Sequence, residues 1–285
     1  MNPYQNFVSE FARLVEKGKA LPLGGFPSAP KPNLPPDAPK VLFFAPHPDD
    51  ETIIGGLALR LLREAKWNVL NVAVTQGSKK ERQSERLVEL KAACNYLGFG
   101  LIQTAPYGLE KVTPVTREGN PVLWKQMVEV ISRILLEYRP KVIMFPHQND
   151  WNSTHIGVHF LLMDALKSLP AEFQCFVVET EFWGQMQSPN LMVEYCIPDV
   201  TDLIAATSFH VGEVKRNPYH LLIPAWMQDN VRRGAELVGG QGQAAPDFRF
   251  AQLYRLGKWN QGRIESNVSG GRSLAADLSA KTLFD

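Results

Sequence analysis

Three observations predict an α/β fold, a mostly parallel sheet flanked by helices. From residue 40 to about residue 170, short β-branched or aromatic runs alternate with amphipathic stretches of helical period. Two of the runs, Val41 to Ala45 and Lys141 to Phe145, lead directly into Pro-His. The loops that follow these two runs hold a dense grouping of imidazole and carboxylate side chains. In an open α/β sheet, the crest at the carboxyl ends of the strands is where ligands bind.

In chain order, Phe7, Phe11, Leu14 and Val15 fall near helical period, so residues 3 to 17 predict an amphipathic helix that could pack on the body or on a partner subunit of a homo-oligomer. Residues 18 to 39 contain seven prolines and read as an extended arm. Val41 to Ala45 predicts a buried strand, and Thr52 to Ala65 the helix after it. Asn68 to Thr75 predicts the second strand. Lys79 to Leu97 is an amphipathic helix that Gly98 stops. Leu101 to Tyr107 suggests a third strand, Val122 to Glu137 a helix, and Lys141 to Phe145 another buried strand. Beyond residue 170 the pattern weakens. Strands are expected at Phe173 to Phe182 and Leu191 to Ile197, helices at Asp202 to Lys215 and Trp226 to Val238, and an aromatic segment at Phe248 to Leu256 closing the sheet edge. The division expected is an N-terminal helix and arm (1–39), a main domain (40–260) and a loosely held Gly/Ser/Asn-rich tail (261–285).

Composition bounds the function. A chain of 285 residues suits one large α/β domain or at most two. The 30 Lys and Arg against 29 Asp and Glu argue against a domain-wide nucleic-acid footprint. Cys94, Cys175 and Cys196 lie far apart in mainly apolar contexts, which predicts buried thiols in a reducing compartment. With no basic-then-apolar leader and no membrane-length apolar run, a cytoplasmic location is expected.

The chemistry concentrates in two segments. His47, Asp49 and Asp50 stand on a tight turn after the first strand, where neither Pro46 nor Pro48 can donate to a ladder. Imidazole and carboxylate suit a borderline divalent metal, while the competing reading is that the acids only cap the next helix. The second segment, residues 145 to 160, holds three of the six histidines, His147, His155 and His159. With Ser153 or Thr154 as N-cap, His155 falls in the first helical turn, where it can complete a two-histidine, one-carboxylate set with His47 and Asp50. Asp150 and Trp151 could line a substrate cleft, the alternative for Trp151 being a core anchor. His155-Ile-Gly-Val-His159 is not a zinc-peptidase HExxH, because Ile156 stands where the glutamate base belongs. Gly55 and Gly56 lack dinucleotide-fingerprint spacing.

Ala45-Pro-His-Pro-Asp-Asp-Glu51, with the later Thr154-His155, resembles the LmbE/PIG-L family of zinc-dependent N-acetylglucosaminyl deacetylases. This chain has Pro46 inserted into the family's AHPDDE motif. The similarity extends over roughly 40 to 256, through Arg86 to Gly98 and Phe250-Ala-Gln-Leu-Tyr254. It implies a Rossmann-like sheet, one Zn2+ held by His47, Asp50 and His155, and a metal-bound water that attacks an N-acetylated amino sugar. Asp49 would be the general base and Arg86 a substrate contact. Where the family often has His-Pro-Asp-His, this chain reads Asn152-Ser-Thr-His155, so Asn152 replaces an oxyanion-stabilising histidine and the general acid falls to His147 or His210. The alternatives are a sugar-binding module without catalysis, or a zinc amidase for another acylated amine.

Overall fold

The computed structural model describes residues 2–28, 30–266 and 270–285. Helix α1 (Gln5–Gly18) precedes the proline arm, then come β1 (Lys40–Ala45), α2 (Asp50–Ile53), α3 (Gly56–Ala65), β2 (Asn68–Ala73), α4 (Lys80–Leu97) and β3 (Gly100–Gln103). Next are α5 (Pro114–Gly119), α6 (Pro121–Tyr138), β4 (Val142–Pro146), α7 (Ser153–Ser168) and β5 (Cys175–Thr180). The remainder comprises β6 (Leu191–Glu194), α8 (Ile197–Thr207), α9 (Val211–Arg216), α10 (Ile223–Leu237), β7 (Ala251–Asn260), β8 (Arg263–Ser266) and β9 (Arg272–Leu274).

The strands form one sheet in the order β3-β2-β1-β4-β5-β7-β6-β9, with β8 on β7. From β3 to β5 every pairing is parallel; β7 then runs antiparallel between β5 and β6. Helices cover both faces, so the central strands are apolar on both. Val41, Phe43 and Ala45 of β1 join a core with α3, α4 and α8, while Leu42 and Phe44 join a second core with α6 and α7. That two-sided burial makes β1 and β4 continuous apolar runs in sequence rather than alternating ones. After β1 the chain builds outward through β2 and β3, then returns to place β4 on the other side of β1. The crest between β1 and β4 is therefore the point where strand order reverses, the position that favours a ligand site.

Several boundaries differ from expectation. The helix expected from Thr52 to Ala65 is two, broken at Ile54 and Gly55. Gly56 opens the second against the Tyr195 ring, where an added Cβ would stand 2.5 Å from Cζ. Pro198 starts α8 earlier than expected, at Ile197, and a turn at Ser208 to His210 separates it from α9, which carries His210 inward. The short α5, capped by Thr113, was not anticipated. Strand β7 does not close the edge but lies inside the sheet. Nor are the last residues loose: β8 and β9 pair into the sheet, and Leu283 and Phe284 are buried. Cys94 and Cys175 are buried as expected, whereas Cys196 is exposed. Helix α1 carries no buried residue, and among the described residues no helix is long and apolar enough to cross a membrane.

His159 of α7 packs under the crest, its Nδ1 donating to the Pro146 carbonyl at 3.1 Å and lying 3.4 Å from Glu179 Oε1. Burial holds its pKa down at about 4, against an ordinary value of 6.5. Below pH 6.5 the unfolded chain therefore takes up a proton that the folded one refuses, and stability falls as pH drops from about 6.5 to 4. Glu179, raised by burial against the pull of Arg255, works in the opposite direction. The His159→Gln variant isolates the histidine: denaturant titrations from pH 7 to 4 should show wild type losing up to about 3 kcal/mol more than the variant.

Candidate metal centre

Between β1 and α2 the chain reverses so sharply that Asp49 adopts φ 113° and ψ −28°. That left-handed conformation costs a non-glycine residue roughly 1–3 kcal/mol. Besides the backbone bonds that the Asp49 carbonyl accepts from Thr52 and Ile53, three bonds with side chains hold it. The Asp49 N–H donates to Glu51 Oε2 at 3.0 Å, Thr52 Oγ1 donates to the Asp49 carbonyl at 2.8 Å, and the Tyr219 hydroxyl donates to Asp49 Oδ2 at 2.5 Å. Asp50, the next residue, meets different groups. Its Oδ2 accepts the His47 backbone N–H at 2.8 Å and lies 3.6 Å from His47 Nδ1 and 3.4 Å from His155 Nε2.

His155 arrives from the first turn of α7. The N-cap is Asn152, not Ser153 or Thr154: its Oδ1 accepts from the N–H groups of Thr154 and His155 at 2.9 and 3.4 Å. The His155 ring is 0% exposed, yet neither of its nitrogens has a hydrogen-bond partner among the described residues. One ligand atom from each of His47, Asp50 and His155 lies within 4.8 Å of the other two. A buried imidazole nitrogen without a partner is costly. A cation shared with Asp50 and His47 would take up that lone pair, and two imidazoles with one carboxylate fit a divalent metal that keeps open positions.

Asp150 supports this arrangement from behind. Its Oδ1 accepts the Asn152 N–H at 2.8 Å, and its Oδ2 accepts those of Trp183 and Gly184 at 3.1 and 3.2 Å. The same Oδ2 stands 3.6 Å from His155 Nδ1. Asp150 is buried and does not line the cleft as expected. It occupies the position of a carboxylate that orients a ligating imidazole.

The two general-acid candidates are also placed away from the cleft. His147 donates from Nε2 to the Gly184 carbonyl at 2.8 Å and accepts the Asn149 N–H on Nδ1 at 3.3 Å. Burial lowers its pKa. His210 is fully buried, with Nε2 on Glu51 Oε1 at 2.8 Å. Burial opposes its charge, but Glu51 and Asp49 outweigh burial and raise its pKa. It stands behind Asp49, with Glu51 bridging the two.

The remaining expected residues do meet at the cleft. Asp49, Arg86, Asn152 and Trp151 line one cavity with His47 and Asp50. Arg86 Nη2 donates to the Pro48 carbonyl at 2.9 Å, so it also braces the turn. Trp151 is 70% exposed at the rim, its ring 5.9 Å from that of Trp183. Asn152 Nδ2 donates to no described residue, since the cap uses only the oxygen.

The adjacent acids are driven apart. Burial, reinforced by the Asp50 charge, pushes Asp49 up to about 7. Burial acts on Asp50 too, but His155 and His47 outweigh it and lower its pKa. One carboxylate thus stays ionised while its neighbour can exchange a proton near neutrality.

Sequence reasoning missed Glu51, Tyr219 and Trp183. Glu51 was visible in the motif but read as a helix-start acid; it is buried and holds both the Asp49 N–H and His210. Tyr219 lies 170 residues from Asp49 and carries no local signal of that contact. Trp183 follows the end of β5 in a stretch of no marked pattern.

Fold and site together define a crest that could hold a metal ion, on a mostly parallel sheet flanked by helices. Residues 42–166 match the family model described as PIG-L: GlcNAc-PI de-N-acetylase, so the resemblance to the PIG-L (LmbE-like) family is shown over that segment. No curated protein matches. Among solved structures, the N,N'-diacetylchitobiose deacetylase from Pyrococcus horikoshii aligns over 92% of this chain and 96% of its own, with 16% identity and a TM-score of 0.56. The 4-carboxy-2-hydroxymuconate hydratase from Pseudomonas putida aligns over 81% and 100%, with 15% identity and a TM-score of 0.57. A zinc-inhibited form of a teicoplanin deacetylase aligns over 80% and 100%, with 12% identity and a TM-score of 0.53. At these identities the likeness establishes the fold, a mostly parallel sheet flanked by helices. That one fold serves a hydratase as well as deacetylases, so function has to be argued from the site.

Two outcomes follow from this geometry. Asp150→Asn should weaken metal binding about 10- to 100-fold with the fold intact, read by competition against a chromogenic chelator. In metal-free protein, Asp49→Gly should be about 1 kcal/mol more stable than Asp49→Ala in denaturant titrations, since both lose the bond to Tyr219 and only alanine keeps the left-handed strain; equal stabilities would show that the turn is not strained.

Proposed function

We propose that this chain is a zinc-dependent amide hydrolase that removes the acetyl or other acyl group from an N-acylated amino sugar or sugar conjugate. The observation that carries the reading is the placement of Asp49, a half-buried carboxylate that lines the cleft beside the His47, Asp50 and His155 cluster and is held there by the Tyr219 hydroxyl. A sugar-binding module without catalysis needs no proton acceptor in that place. The PIG-L match over 42–166 and the deacetylases among the structural neighbours support the same reading. The free cysteines suit a cytoplasmic setting.

When bound by His47, Asp50 and His155, zinc supplies Lewis-acid polarisation of the amide carbonyl and a water acidified toward neutrality. The chain's residues do the rest. Burial and Asp49 push the Tyr219 phenol far above its ordinary pKa, so it stays protonated and donates to Asp49 Oδ2. Oδ1 is left to take the proton of the attacking water. Asn152 Nδ2 donates to the oxygen that gains charge as the carbonyl carbon becomes tetrahedral. Asp49 then returns the proton to the leaving amine, because the Nε2 atoms of His147 and His210 are committed to Gly184 and Glu51. Arg86 contacts the sugar from the cleft floor, and the exposed face of Trp151 stacks on it.

Elemental analysis should find about one zinc per chain. Removing it with a chelator should abolish amine release from N-acetylglucosamine or its phosphate, and zinc should restore it. Asp49→Asn should retain zinc and lose activity by about 10²- to 10⁴-fold. Full activity in that variant would remove Asp49 from the reaction, and an Asp50→Ala variant that kept its zinc would show the ligand set to be wrong.

A further inference from the structure

Next to the polar cleft over Asp49 lies a second cavity of about 240 Å³ and opposite chemistry. Ile53, Phe182, Leu222 and Trp226 line it with Trp183 and Tyr219, and those last two also line the polar cleft. The cavities therefore share a wall, and on that wall the Tyr219 hydroxyl holds the Asp49 carboxylate. Ile53 lies one helical turn beyond Asp49, to whose carbonyl its N–H donates at 3.2 Å, so the apolar surface begins at the candidate base itself. Among the described residues no charged side chain lines the groove, while the cleft beside it is lined by Ser78, Lys79, Arg82 and Arg86. Leu222 is 50% and Trp183 42% exposed. Single exposed apolar residues need no explanation, but a contiguous apolar groove opening on a polar reaction cleft does.

An acylated amino sugar has two unlike halves on either side of its amide. The sugar carries hydroxyls, and the charged and polar cleft can satisfy them. Beyond its carbonyl, the acyl half carries only hydrocarbon, which gains by leaving water for the groove. An acetyl methyl is far too small to fill that space. We infer that the apolar groove receives the hydrocarbon tail of the acyl group, and that the preferred substrate is an amine acylated by a chain several carbons longer than acetyl. The inference rests on the hydrolase reading above. The reaction is balanced as the same hydrolysis: the C–N bond breaks, the water oxygen joins the acyl carbon, and a fatty carboxylate leaves with the amine, whose nitrogen takes up both protons of the water and departs as an ammonium.

The test measures free-amine release by the zinc-loaded full-length chain from N-acetyl-, N-butanoyl- and N-octanoylglucosamine. kcat/KM should rise at least about tenfold from acetyl to octanoyl, since each methylene buried in an apolar pocket carries appreciable binding energy. Leu222→Asp, at a half-exposed position, should lower the octanoyl-to-acetyl ratio at least about tenfold, and Trp226→Gln should act in the same direction. Equal or falling values along the series overturn the inference and leave the hydrolase reading standing. Amine release from no member, with zinc bound, overturns the hydrolase reading and the inference with it. If Leu222→Asp instead dissociates an oligomer in sedimentation and leaves chain-length preference unchanged, a second copy covers the groove and the inference fails.

Discussion

The left-handed turn at Asp49 is the constraint on which the rest of the site depends. Two adjacent carboxylates on a regular helix or strand would share similar surroundings, and each would blunt the other's ionisation. Here the backbone pays in strain to send them to different neighbours: Asp50 to His47 and His155, Asp49 to Tyr219. Their proton affinities separate as a result. The proline-flanked end of β1 makes this possible, because Pro46 and Pro48 release the chain from the ladder one residue before it must turn. Glu51 then compensates the strained peptide by accepting its N–H.

Around that turn stand two buried carboxylates and one half-buried guanidinium that brace it. Asp150 faces the far side of His155, Glu51 couples His210 to the Asp49 backbone, and Arg86 holds the Pro48 carbonyl. Each fixes a residue beside the cleft, and each is itself bonded to backbone or to another side chain. Such networks are valuable when every member is satisfied and costly when one is not. The unpartnered nitrogens of His155 are therefore informative: they mark the place where the protein alone leaves the network open.

The parallel half of the fold was legible because two-sided burial writes itself as apolar runs, and β1, β2 and β4 fall where Val41 to Ala45, Asn68 to Thr75 and Lys141 to Phe145 placed them. The three clustered residues His47, Asp50 and His155 were legible because each follows a strand that the topology brings to one crest. Less visible was anything that depends on distant pairing. Residues 261 to 285 look like a tail by composition, yet Leu283 and Phe284 are buried against the main core, where Phe284 meets Trp67. Asp150 looked like a cleft residue because it is charged and beside Trp151, and only the backbone donors of residues 183 and 184 explain its burial. His210 and Tyr219 reach the site through α8, α9 and the turn beyond them, which local periodicity does not orient.

The two halves of the site also differ in when they can exist. His47, Asp50 and His155 all belong to the first 155 residues, and their strands pair with one another early in the order of synthesis. Tyr219 and His210, which steady Asp49 through its carboxylate and through Glu51, come from 170 and 159 residues downstream of their partners. A chain emerging from the ribosome can thus bring the candidate ligand set together while Asp49 is still unsupported. The topology itself places the two halves of the site at different points in synthesis, and the surroundings of Asp49 wait for the carboxyl-terminal half to fold.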